Sequence, residues 1–123
     1  MAFRLRTGKR NLVVGYRSED GEIDYLICDD DLGIVMDESD IDPSIDKEKI
    51  IQVSFPEQVE CIEYETFKGF INLTDVEIRG DVYGVEWQGG TDECWTVPLS
   101  PATMAEELKR GTGRIVIFRK PKY

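Results

Sequence analysis

Apolar and polar residues alternate with period two along most of this chain, the pattern of strands with one buried face. Residues 12–17 and 22–28 are two such runs, and Glu19-Asp20-Gly21 between them predicts a hairpin; in the second run Ile23, Tyr25 and Ile27 share a face. Further strands are predicted over 49–55, 59–64, 70–78, 82–87, 94–99 and 114–118. Tyr83, Val85 and Trp87 are expected on one face of their strand, and Trp95, Val97 and Leu99 on one face of the next. Arg79-Gly80-Asp81 and residues 88–92 supply turn residues between strands.

The period changes only once. Ser100 as N-cap, Pro101 at the first helical position and Gly111 as the left-handed terminator predict a helix over 101–110. Met104 and Leu108, one turn apart, form its inward stripe, and Glu106 stands four residues before Arg110. Residues 29–46, acidic and broken by Gly33 and Pro43, predict a long surface loop with one short strand at 34–36. The expected architecture is α+β: a single domain over 1–123, predominantly antiparallel β (a sheet or partly open barrel), with one C-terminal helix.

Composition supports a packed domain. Hydrophobic residues make up 41 % of 123, including five Phe, five Tyr and two Trp. No apolar run approaches the roughly 18 residues of a membrane span. The N-terminus has basic residues but no apolar stretch, so no secretory signal is expected and the location is read as cytoplasmic. Cys28, Cys61 and Cys94 are odd in number and lack a Cys-x-x-Cys pair, which predicts buried free thiols in a reducing compartment.

Charge changes the picture most. The net charge is −10, yet residues 1–17 and 108–123 contain no acid, and all 25 acids fall in 18–107 against Lys47, Lys49, Lys68 and Arg79. The chain is bipolar along its sequence.

Identifiable chemistry is scarce. There is no histidine, which removes the commonest general base and metal ligand together with every Ser-His or Cys-His pairing. Asp29-Asp30-Asp31 and the set Asp37, Asp40 and Asp42 both depart from the calcium-loop spacing, so they read as a solvated acidic loop and no metal or cofactor is expected. Thr7-Gly8-Lys9 and Gly111-Thr112-Gly113 resemble pieces of phosphate loops, but the second follows a helix instead of preceding one. Glu107-Leu108-Lys109 reads as an ion-pair surface on the last helical turn. Arg79-Gly80-Asp81 spells the cell-adhesion tripeptide but sits where a hairpin turn is predicted. Trp87 and Trp95 bracket a Gly-Gly loop; alternation with Val85 and Val97 turns both toward the core.

Two functions of different class follow. The first is a non-enzymatic acidic interaction module that docks Asp29, Asp30, Asp31, Asp37, Glu38, Asp40 and Asp42 on a basic, nucleic-acid-binding protein, in the manner of small acidic inhibitors of phages and mobile elements. The second is a binder of a small anionic ligand, a nucleotide or cyclic nucleotide signal. There Arg4, Arg6, Lys9, Arg10, Arg17, Arg114, Arg119 and Lys120 would hold phosphate, and Tyr16, Trp87 or Trp95 would stack a base. That reading expects the two terminal segments to come together, within the monomer or across a homodimer. A net charge of −10 argues against general binding to nucleic-acid polymers.

Overall fold

Two open β-sheets and one helix build the protein in a computed structural model that describes residues 9–90 and 92–120. The first sheet contains β1 (Asn11–Arg17), β2 (Ile23–Asp31), β4 (Ile50–Phe55) and β6 (Asp75–Ile78), in the order β2-β1-β4-β6. The second contains β3 (Val35–Met36), β5 (Cys61–Ile62), β7 (Val82–Gln88), β8 (Cys94–Val97) and β9 (Arg114–Arg119), in the order β3-β5-β9-β7-β8. Among the described residues five of the seven pairings are antiparallel; β3–β5 and β4–β6 are parallel. The predominantly antiparallel α+β architecture therefore holds, as two open sheets and not a barrel. No described helix is long and apolar enough to cross a membrane.

The β1–β2 hairpin forms where Asp-Gly predicted it, with Gly21 at φ +87°. The helix α1 (Pro101–Arg110) begins at Ser100, whose backbone is extended but whose hydroxyl makes no cap bond, and ends at Gly111 with φ +67°. Met104 and Leu108 are buried as their spacing requires. The helix packs on β6, and Phe55, Val76, Val85, Val97, Met104 and Ile115 enclose a void of only about 10 Å³ between both sheets and the helix. That tight seam is the centre of the core.

Several local expectations are corrected. Arg79-Gly80-Asp81 is not a hairpin: β6 and β7 lie in different sheets, and Gly80 (φ +95°) turns the chain from one to the other. Strand 59–64 shrinks to β5 and strand 70–78 to β6, because residues 63–73 form successive tight turns that bury Phe67, Phe70 and Leu73. Tyr83 leaves the Val85–Trp87 face at a register shift between Val82 and Gly84 and is 63 % exposed. Leu99 lies beyond β8 and is also exposed. The acidic triplet 29–31, assigned to the loop, extends β2, whereas Leu32, Met36 and Ile41 of that loop enter the core.

On the helix the ion pairs run at i,i+3, Glu106–Lys109 at 2.8 Å and Glu107–Arg110 at 3.0 Å, so Glu106 does not pair with Arg110. Glu107 is no surface residue either. Its side chain is only 9 % exposed, and Oε2 has no hydrogen-bond partner among the described residues. The thiols are free, yet only Cys28 is buried; Cys61 is half-buried and Cys94 exposed.

Trp87 and Trp95 face each other across β7–β8 and stack at 4.0 Å with planes 11° apart. Trp87 is buried as expected, whereas Trp95 is 43 % exposed and covers it. Glycine makes room for the inner indole. A Cβ on Gly89 would lie 2.6 Å from Cη2, and one on Gly113 would lie 2.5 Å from Cε2 and 2.7 Å from the Gln88 carbonyl. Gly113→Ala is therefore expected to cost about 1–3 kcal/mol by overpacking. Near-ultraviolet circular dichroism should show the stacked pair weakened, and Trp87→Leu in the same chain should recover part of the stability. Unchanged melting of the single variant would show that the niche is not tight.

Candidate functional site

The acidic stretch is an ordered surface built by its own carboxylates. Asp37 is the N-cap of a short 3-10 turn (Glu38–Asp40), accepting from the Ser39 N–H at 2.9 Å, while Asp40 accepts from the Asp37 N–H at 3.0 Å. Asp42 accepts from the Ser44 N–H and hydroxyl, both at 2.8 Å. These bonds hold the Asp42 carboxyl below the usual carboxylate range. Asp46 caps the next 3-10 turn (Lys47–Lys49). An Asp whose oxygen meets the N–H two residues on is the standard means by which such residues fix a turn. Asp31 is exposed beside Arg10 at 3.5 Å and accepts weakly from Asn11. Asp29 and Asp30 fall in β2, and their side chains lie outside the described set. Glu38 is exposed with no bond to its carboxylate among the described residues.

The basic residues take up other work. Arg4 and Arg6 lie outside the described residues. β1 and β9 belong to different sheets and do not pair. Their link is indirect: Arg79 Nη2 donates to the Asn11 carbonyl at 2.6 Å, and Arg119 Nη1 donates to the Arg79 carbonyl at 2.6 Å. Arg119 also donates to the carbonyls of Val59 and Pro56, and Arg79 to those of Phe55 and Ser54. Burial pulls both guanidinium groups below the usual arginine value, against the opposing pull of Glu60 and Glu57 on Arg119 and of Glu77 and Glu57 on Arg79. Arg114 forks onto Glu63 at 3.1 and 3.3 Å. Arg17 donates to the Gly21 carbonyl, and Tyr16 packs half-buried on the core. Trp87 and Trp95 spend their facing surfaces on each other.

A further feature comes from residues far apart in sequence. Across the outer face of the first sheet runs an open groove of about 520 Å³. Tyr25, Gly15, Gln52 and Asp75 are successive partners across four strands and form one row; Ile27, Val13, Ser54 and Glu77 form the next. Gly15 is the floor. A Cβ there would meet Tyr25 Cε1 and Gln52 Oε1 at 3.1 Å, so the absence of a side chain lets both lean inward. Gln52 Nε2 donates to Asp75 Oδ2 at 3.3 Å, and the Ser54 hydroxyl donates to Glu77 Oε1 at 2.5 Å. Neither carboxylate is in an ion pair among the described residues. Arg79 closes one end, but three carbonyls occupy it. The sequence signal for this face is the period-two row Asp75-x-Glu77-x-Arg79 together with the glycine that interrupts β1.

The described residues contain no group of three or more Asp, Glu or Cys placed to hold a metal ion. No family model matches the chain, and neither a curated protein nor a solved structure matches it.

Proposed function

We propose that the protein is a non-enzymatic interaction module of the cytoplasm that docks its acidic surface on a basic, nucleic-acid-binding protein and inhibits it. The observation that carries this reading is the pinned acidic segment. Over residues 31–48 seven carboxylates stand against Lys47, and at Asp37, Asp40, Asp42 and Asp46 local hydrogen bonds fix the backbone that presents them. Charges held in place need no ordering on association, so their attraction for a basic surface is not spent on immobilising a loop. The alternative, a nucleotide receptor on the basic terminal strands, has less support. Arg10, Arg17, Arg114 and Arg119 already have partners within the chain.

The same geometry dictates the test. Asp37 and Asp42 hold turns, so reversing their charge would confound binding with local unfolding. Asparagine caps about as well as aspartate, and Ala at such a cap costs about 1 kcal/mol. Asp37→Asn, Glu38→Gln and Asp42→Asn together are therefore expected to leave melting nearly unchanged. Partners captured from the native host would be purified and titrated at low and high salt. Affinity should fall about tenfold in the triple variant and steeply with salt, since exposed charges are screened beyond about 10 Å at 0.1 M, and an oligonucleotide should compete. Affinity indifferent to the variant and to salt would reject the proposal.

A further inference from the structure

We infer that the groove on the outer face of the first sheet receives a lysine or arginine side chain of a partner protein, held by Asp75 and Glu77 and flanked by Tyr25. The inference deepens the docking reading by naming a second contact, and it needs none of residues 31–48.

The occupant follows from which charges the groove leaves available. Among the described residues Arg79 is the one cation lining it, and its Nε and Nη2 are committed to the carbonyls of Phe55, Ser54 and Asn11. It acts as a strut and offers little to an anion. Asp75 and Glu77 each accept one hydrogen bond from a neutral donor and are in no ion pair among the described residues, although Glu77 also feels the charge of Arg79. Two carboxylates against one guanidinium leave the described lining with a net charge of −1, and the complementary ligand is a cation. Tyr25 is 62 % exposed and stands at the other end of the row that ends on Asp75. An aromatic ring on one side and carboxylates on the other suit a long side chain with an apolar stem and a charged head. The groove also lies open across a sheet face, with a lining too polar for a small apolar molecule.

The test is an amide-resolved NMR titration of the whole chain with the peptide acetyl-Lys-Ala-Lys-Ala-Lys-amide, using the glutamate analogue and cellopentaose as comparisons. The lysine peptide is expected to shift Gly15, Tyr25, Gln52, Asp75 and Glu77 and the glutamate peptide to leave them unmoved. Asp75→Asn with Glu77→Gln should weaken binding about five- to tenfold, the size of one or two exposed charge contacts. Gly15→Ala, whose backbone the site tolerates, should weaken it by crowding the floor, and both variants should keep the wild-type spectrum elsewhere. Shifts confined to residues 31–48 would overturn the groove while leaving the acidic segment as the docking surface. Equal binding by the double variant, or the same shifts with cellopentaose, would overturn it as well. The second of these would make the occupant a neutral sugar.

Discussion

Arg119→Gln is expected to lower the melting temperature by about 10 °C, whereas Arg114→Gln, on the same strand, should lower it by about 2 °C. The two arginines look alike in sequence and stand at opposite ends of β9. Arg114 forms an exposed fork with Glu63, and such pairs are worth about 0–1 kcal/mol because water serves both partners nearly as well. Arg119 instead satisfies three backbone carbonyls, those of Pro56, Val59 and Arg79. Through Arg79, which reaches Asn11, Ser54 and Phe55, it ties the end of the second sheet to the first. Glutamine has one short amide that cannot span the Val59 and Arg79 carbonyls together, so at least one of them loses its donor, while the Pro56 carbonyl keeps the Val59 N–H. Hydrogen bonds to a charged donor contribute about 1.5–3 kcal/mol each when isolated. With solvent reaching part of this cluster, about 2–3 kcal/mol in all is expected, a large share of a total stability of about 5–15 kcal/mol. Arg119→Lys should fall between, since an ammonium cannot span three acceptors. Thermal denaturation of the three variants side by side decides the matter. Equal losses at 114 and 119 would show that charge, not the carbonyl network, is what β9 contributes.

That contrast marks the limit of what the chain discloses in one dimension. Features decided by neighbours in sequence were legible: the Asp-Gly hairpin, the β7–β8 pair, and a helix bounded by Ser100-Pro101 and Gly111. Features decided by distant partners were not. Alternation places residues on a face without saying which sheet a strand joins, so Arg79-Gly80-Asp81 read as a hairpin when it is a crossing between sheets. A bulge inverts alternation locally, which is why Tyr83 left the face of Val85. Glu107 shows the converse error. Charge suggested solvent, but it is buried beside Met104 on the inward side of the helix, with Leu108. The acidic segment carried a readable signal in Asp37-Glu38-Ser39 and Asp42-Pro43-Ser44, the Asp-x-Ser spacing of side-chain caps. The groove had little, since its lining is drawn from β1, β2, β4 and β6 and meets only when the sheet forms.

Phe67→Ala is expected to produce the largest loss of all, about 3–5 kcal/mol, the usual range for removing a buried phenylalanine. The residue lies in the run of turns between β5 and β6, where the apolar residues Phe67, Phe70 and Leu73 recur every third position. That spacing matches i→i+3 turns: the Phe70 N–H donates to the Phe67 carbonyl and the Leu73 N–H to the Phe70 carbonyl, each at 3.1 Å. All three side chains face inward and are essentially inaccessible. Phe67 packs edge-on against Phe55 of β4 at 5.5 Å and against Phe70 at 4.9 Å, so it anchors the turn to the end of an inner strand of the first sheet. Alanine there forfeits the transfer free energy of the ring, its aromatic contacts, and the packing around a cavity that two other rings cannot readily fill. Tyr64→Ala, three residues earlier in the same run of turns but exposed, provides the control and should stay within about 0.5 kcal/mol of the parent. Urea titrations of both variants read the difference as a shift in midpoint at constant slope. If Phe67→Ala unfolds no more easily than Tyr64→Ala, this run of turns is a surface connection and not part of the core.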